Sequence, residues 1–231
     1  RVGGHRALQR RVDALSGALL HRREVDRDHA AQTPQAKLAK DLGALFIVDD
    51  IQAGCGRTGN YFSFEGMGLD PDIITLAKGI GGFGTPLAMN LAKPEHDKHW
   101  LPGEHTGTFR GQGLSFVAGV EALRYFDDDE LMNDVKRKGA DMEAQLQAIV
   151  DGHADHTFQV RGKGMMQAID LGDISLAKAV AARCFEHGTL LGTCGTGGCT
   201  IKLIPPLTIP DADLQEGLTT LKEAIAAEVA G

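Results

Sequence analysis

Up to about residue 128 the apolar positions come as short unbroken runs separated by glycine-rich loops; beyond it, long stretches at helical period alternate with strand-like runs. The first run, Ala44-Leu45-Phe46-Ile47-Val48, follows what reads as a helix end over residues 37–43 and stops at Asp49-Asp50. An unbroken apolar run of this kind suits a strand of a parallel sheet covered on both faces. In open α/β sheets, the carboxyl end of such a strand is where ligands bind. A glycine-rich loop runs on through Gly59. A second strand is predicted over residues 72–77, delivered by Pro71 and ending at Lys78. Gly79, Gly81, Gly82 and Gly84 follow, closed by Pro86, and a third strand is predicted over residues 87–92.

From Pro94 to about Gly113 the chain reads as loop. Residues 114–126 predict a helix with Phe116, Val120, Leu123 and Phe126 on one face. Asp127 and Glu130 have capping-box spacing, and Leu131, Val135, Met142, Leu146 and Ile149 continue at helical period. A strand-like stretch over 157–171, a helix over 175–187 ended by Gly188, and strands near 189–192 and 200–204 follow. A last helix after Pro210 carries Leu214, Leu218, Leu221, Ile225 and Val229. The pattern defines an α/β chain without internal repeats. Residues 1–35 form an atypical segment, and the change of pattern near residue 128 reads as a boundary between a domain over 36–127 and an α+β domain over 128–231.

Charge and composition narrow the function. The 231 residues carry 24 basic and 31 acidic side chains, a net charge of −7, which argues against a nucleic-acid partner. No apolar stretch approaches the ~20 residues of a membrane span, and no signal segment opens the chain, so no membrane partner is expected. Four cysteines are too few to build a fold of this size, which points to a reduced, cytoplasmic setting. Cys194 and Cys199 lack a second ligand pair nearby, and no metal site is expected. The glycines after Lys78 lack the order of a phosphate-cradling loop. Gly195 to Gly198 reads as a flexible turn, and His105, without a visible partner, as structural. Residues 1–34 hold seven of the thirteen arginines and three of the nine histidines, with a local charge of +3. Leu8, Val12, Leu15, Leu19 and Leu20 fit a short amphipathic helix, and the composition also fits coding sequence read out of frame.

The candidate chemistry lies at the two strand ends. Lys78 sits at one and Asp49 with Gln52 at the other. A lysine desolvated at such an edge can act as a Schiff-base nucleophile. A carboxylate nearby can keep a heteroaromatic nitrogen protonated, making that ring an electron sink. Taken singly, each residue also fits a solvated surface lysine or a turn aspartate.

The surrounding text adds a resemblance. The runs I47-V-D-D-I-Q-A-G-C-G-R-T-G59, P71-D-I-I-T-L-A-K-G-I-G-G-F-G-T-P86 and E104-H-T-G-T-F-R-G111 resemble the class III aminotransferases. V160-R-G-K-G-M-M-Q-A-I169 and I201-K-L-I-P-P-L-T-I209 resemble that family's C-terminal domain, in the same order. Within the family the blocks are most like those of the diaminobutyrate–2-oxoglutarate branch of ectoine biosynthesis. The resemblance covers residues 36–231 and implies part of a fold type I large domain followed by the small domain. The implied cofactor is pyridoxal 5'-phosphate. The implied reaction moves the amino group of L-glutamate to L-aspartate 4-semialdehyde, and relatives acting on ornithine or 4-aminobutyrate share most of the motifs.

Carried over, the resemblance makes Lys78 the cofactor-binding and proton-carrying lysine. Asp49 becomes the partner of the pyridine nitrogen, and Gln52 that of the phenolic oxygen. Thr108 matches a threonine that reaches the phosphate bound in a neighbouring subunit, which implies a homodimer or higher homo-oligomer. Lys202 stands where many relatives carry an arginine that clamps the substrate carboxylate; lysine offers a point charge rather than a fork. Lys202 as a solvent-facing strand residue, and Arg110 as a carboxylate contact or an exposed loop arginine, remain open. Family members carry a long N-terminal half before this first strand, holding a phosphate loop and a stacking aromatic residue. Neither is found in residues 1–43, so the resemblance is also compatible with a truncated or frameshifted, inactive product.

Overall fold

The computed structural model describes residues 32–230 apart from Phe83, Phe109 and Thr196. The helix expected around residues 8–20 lies outside the described residues, as does all but residues 32–34 of the stretch 1–34 read as out of frame. The described residues divide into two compact units: one contains 32–55 and Asn60–Asp128, the other Gly56–Gly59 and the residues from Asp129 on.

In the first unit, α1 (Gln32–Asp41) ends at Gly43, whose φ of +61° lets the Gly43 and Ala44 amides turn back to Lys40 and Ala39. Strand β1 (Ile47–Asp49) runs parallel to β2 (Ile73–Leu76), in a register that sets Asp49 beside Thr75. Strand β3 (Met89–Ala92) completes a three-stranded sheet, antiparallel to β2. The first strand is later and shorter than the apolar run suggests. Phe46, at its entry, is held by Asp72: the Phe46 amide donates to Asp72 Oδ2 (2.8 Å) and the Asp72 amide to the Phe46 carbonyl (2.8 Å). A one-turn helix, α2 (Pro94–Asp97), interrupts the expected loop.

Helix α3 (Gly113–Leu123), extended by a 3-10 turn over Arg124–Phe126, lies where the pattern predicts a helix but turned the other way. Ser115 and Gly119 face inward, while Phe116, Val120 and Leu123 are 49%, 56% and 43% exposed. Close approach decides this orientation. A Cβ on Gly119 would lie 2.6 Å from Leu87 Cδ2 and 3.2 Å from the Ile80 carbonyl oxygen. Only the small-residue face fits there.

The second unit is a four-stranded antiparallel sheet of β4 (Gln159–Lys163), β5 (Met166–Asp170), β6 (Gly192–Cys194) and β7 (Thr200–Leu203), in the order β4-β5-β7-β6. The single strand-like stretch over 157–171 is thus a hairpin turning at Gly164, and the strand expected near 189–192 starts only at Gly192. Helices α4 (Glu130–Asp151), α5 (Ile174–Glu186) and α6 (Asp211–Ala230) pack with it. Val135, Met142, Leu146, Ile169, Val180, Ile201, Leu221 and Ile225 form its buried core. Asp173 caps α5, its carboxylate accepting from the Leu176 amide (2.7 Å). The capping box expected at Asp127 and Glu130 does not form: the N-cap of α4 is Asp129, without a side-chain cap bond.

One residue of α4 breaks its apolar face. Lys138 is buried, and its ammonium donates to the Ile209 carbonyl (2.6 Å) and pairs with Asp134 Oδ2 (2.6 Å). The Lys138 bond first, with Arg137 adding to it, holds the Asp134 carboxyl below its ordinary value of 3.8. A carboxylate depressed in the folded state stabilises above its unfolded pKa and loses that contribution as pH falls through the folded value. Asp134→Asn is therefore expected to lower the urea midpoint at neutral pH, with the gap to the parent closing as pH drops below 3.8. An unchanging gap contradicts this account.

Candidate active site

The parallel register of β1 and β2 places Asp49 and Lys78 at the same, carboxyl edge of the first unit's sheet: Asp49 pairs with Thr75, three residues before Lys78. Asp49 is exposed at the end of its strand. Its Oδ1 accepts from the Ile51 amide (3.1 Å) and, at the long distance of 3.5 Å, from the Thr75 hydroxyl, while Oδ2 takes no hydrogen bond among the described residues. Lys78 opens a 3-10 turn over Lys78–Gly81. Its φ of +55° is left-handed, a conformation that a side chain adopts at a cost of about 1–2 kcal/mol and that concentrates at functional sites. Its amine makes no hydrogen bond or ion pair among the described residues, and the side chain is exposed. Gln52 follows in the turn after β1, half-buried.

Beneath this edge lies a cluster the sequence reading did not single out. Asp50, next to the exposed Asp49, is fully buried. Its Oδ2 accepts from the Ser63 amide (3.0 Å) and its carbonyl from the Gly54 amide (3.0 Å). Its Oδ1 has no hydrogen-bond partner among the described residues. Cys55 and Tyr61 belong to one packed cluster, and burial pushes both up, the Tyr61 hydroxyl to about 12. They pack with Leu76, Ile80, Phe62, Ile74 and Leu87.

Thr108 and Arg110 share an exposed turn before α3, closed by the Arg110 amide on the Gly107 carbonyl (3.0 Å). No hydrogen bond or ion pair among the described residues ties them to Asp49, Gln52 or Lys78. His105 packs edge-on to Trp100, with ring centroids 4.7 Å apart. In the second unit, Lys202 sits in the middle of β7, between Ala168 and Gly192, half-buried. It lines a hollow of about 780 Å³ together with Leu190, Leu191, Leu203, Asp213 and Glu216.

Arg57 has a structural place that its sequence neighbours do not reveal. Its guanidinium donates to the carbonyls of Pro205 and Met165, and its own carbonyl accepts from the Met165 amide (3.0 Å). Burial lowers its pKa.

An exposed carboxylate and, at the same sheet edge, a lysine on a strained turn without a partner among the described residues fit a cofactor with a protonatable ring nitrogen and a carbonyl carbon open to an amine.

The chain belongs to the class III aminotransferase family, a family of pyridoxal-phosphate-dependent enzymes: residues 29–225 match that family's model. It is 44% identical over 189 residues to the diaminobutyrate–2-oxoglutarate transaminase of Marinococcus halophilus, covering 82% of this chain and 44% of that protein. It is 46% identical over 189 residues to that of Wolinella succinogenes, with the same coverage. The chain thus spans under half the length of these relatives. Among solved structures, it resembles the ornithine δ-aminotransferase of Plasmodium falciparum at a TM-score of 0.76 and 27% identity, over 87% of this chain and 52% of that one. The ornithine aminotransferase of Toxoplasma gondii, whose structure holds partly occupied pyridoxal phosphate, matches at 0.76 and 28%, over 84% and 46%. The fold is that of the fold type I enzymes, in part.

Proposed function

We propose that this chain carries the lysine-bearing part of an aminotransferase site that moves the amino group of L-glutamate to L-aspartate 4-semialdehyde, giving L-2,4-diaminobutyrate and 2-oxoglutarate. The observation that carries the reading is the placement of Asp49 and Lys78 at one carboxyl edge of two parallel strands, with Asp49 paired to Thr75 three residues before Lys78. Bound there, pyridoxal phosphate supplies an electron sink for the bond broken at the substrate carbon. The Lys78 amine holds the cofactor and then carries the proton between substrate carbon and cofactor carbon. Asp49 would be the partner of the ring nitrogen and keep a proton on it. Gln52 donates to the phenolic oxygen. Thr108 reaches a phosphate in a second copy of the chain, which makes a homodimer part of the proposal. Lys202 and Arg110 supply positive charge for substrate carboxylates, and the setting is the cytoplasm. The choice of acceptor leans on the diaminobutyrate-forming relatives, whose identity of 44–46% exceeds the 27–28% of the ornithine enzymes.

The test offers ¹⁵N-glutamate and pyridoxal phosphate with aspartate, glutamate or succinate semialdehyde, and follows the label by mass spectrometry. Label is expected in diaminobutyrate first. Faster labelling of either other product overturns the substrate choice, and no cofactor-dependent transfer to any acceptor overturns the activity.

A further inference from the structure

Among the described residues, two that are not glycine have a left-handed backbone: Lys78, with φ of +55°, and Cys55, with φ of +53°. They are neighbours in space. A Cβ built on Gly79, the residue after Lys78, would come 3.2 Å from the Cβ of Cys55. The Lys78 turn therefore rests on Cys55, and Gly79 is the residue that permits so close a seat. Such strained positions persist only where surrounding structure holds them in place.

What holds Cys55 leads back to Asp50. The Gly54 amide, one residue before Cys55, is bonded to the Asp50 carbonyl, and Gly54 has no room for a side chain: its Cβ would lie 2.7 Å from both the Asp50 carbonyl oxygen and Oδ2. Asp50 Oδ2 takes the Ser63 amide from the far end of the same loop, and the Asp50 amide donates to the Thr75 carbonyl on β2 (3.0 Å). One residue thus fastens the loop's entry, its exit and the strand leading to Lys78. We propose that Asp50 is a positioning residue of this site: its buried carboxyl locks the loop that carries Gln52 and, through Cys55 under Gly79, sets the turn that presents Lys78.

The chemical state of the cluster suits that role. Burial pushes the Asp50 carboxyl up against its bonds from Ser63, and the charges of Asp49 and Glu65 push the same way; Cys55 and Tyr61 are raised too.

The proposal rests on Lys78 being the reactive lysine, so the experiment reads the loop in two ways, one of them without cofactor. In the first arm, Cys55 alkylation by iodoacetamide is timed by peptide mass mapping in the parent, Asp50→Ala, Asp50→Asn and Gly54→Ala chains. Loss of one buried hydrogen bond changes a local opening equilibrium by about tenfold. Asp50→Ala and Gly54→Ala are expected to expose Cys55 by that factor, while Asp50→Asn, which keeps an acceptor for Ser63, stays near the parent. Alkylation of the buried Cys184 in the second unit reports general unfolding, and a rise there equal to that at Cys55 counts against the proposal. In the second arm, the pyridoxal phosphate titration is expected to weaken in the same two variants and hold in Asp50→Asn. Unchanged Cys55 protection in Asp50→Ala overturns the proposal. A parent chain that binds no cofactor at Lys78 overturns the reading of the site instead, and the first arm still decides whether Asp50 locks the loop.

Discussion

Lys78→Ala is expected to leave pyridoxal phosphate without a covalent link to the chain and to abolish glutamate-dependent amino transfer. Two contributions vanish together, the nucleophile that fastens the cofactor and the base that moves the proton. Proton transfer by a positioned side chain is by itself worth about 10²–10⁴-fold, so the combined loss should exceed about 10⁴-fold. Lys78→Arg is expected to be as inactive, because a guanidinium keeps the charge but does not release its proton to become a nucleophile. The backbone gives a second reading of the same position. At φ +55°, Lys78→Gly removes the steric cost of a Cβ, and its urea midpoint should rise by the equivalent of about 1 kcal/mol while activity is lost. More stable and inactive together is the signature of strain kept for function. Activity is read with labelled glutamate, and attachment by borohydride reduction and mapping of the Lys78 peptide. Turnover in Lys78→Ala, or a reduced adduct on a different lysine in the parent, refutes the assignment.

The elements that the sequence pattern located well are those whose pattern reflects one dominant interaction. The period of Leu214, Leu218, Leu221 and Ile225 records burial of a single helix face, and α6 follows it. Residues 72–77 contain β2, and Lys78 lies just beyond it, as the polar stop suggested. The inverted face of α3 marks where this reasoning fails. Hydrophobic periodicity assumes that large apolar residues face inward, but at Gly119 the Leu87 side chain and the Ile80 carbonyl come close, and Ser115 and Gly119 are buried instead. Spacing of apolar residues carries no information about how close another segment approaches. Asp127 and Glu130 fail for a related reason: the capping spacing is present, but the helix begins at Glu130 itself.

In the site, the residues visible beforehand are those that stand at strand ends. Asp49 and Lys78 punctuate apolar runs, and punctuation is legible. Asp50 is not, because adjacent aspartates look alike in sequence, whereas one ends exposed and the other buried beneath it. The one available hint was Gly54, whose lack of a side chain is required by Asp50 rather than by a left-handed turn. Arg57 was legible as part of a loop motif, but its partner Met165 lies 108 residues on, a contact that only the folded chain creates.

That same contact region sets the second large effect, Gly164→Ala. Gly164 turns the β4–β5 hairpin at φ +57°, where a Cβ costs about 1–2 kcal/mol in any surroundings. Here the surroundings are also closed. The added Cβ would lie 2.6 Å from the Thr58 carbonyl carbon and 2.8 Å from the Arg57 carbonyl oxygen, and both neighbours are backbone. Behind it stands Gly139 of α4, whose own Cβ would meet Gly164 at 2.6 Å, so the hairpin cannot retreat in that direction. Overpacking a closed site costs about 1–3 kcal/mol, so the total expected loss is about 2–5 kcal/mol, against a typical domain stability of about 5–15 kcal/mol. Gly43→Ala separates the two parts. It has nearly the same backbone angle, φ +61°, with nothing within 4 Å of the new Cβ, and should cost only the backbone share. Urea midpoints of the two variants give the comparison. Equal losses mean that the Arg57–Thr58 segment yields to the new methyl group; a loss at Gly164 at least twice that at Gly43 means that the stack of Gly139, Gly164 and Thr58 is rigid.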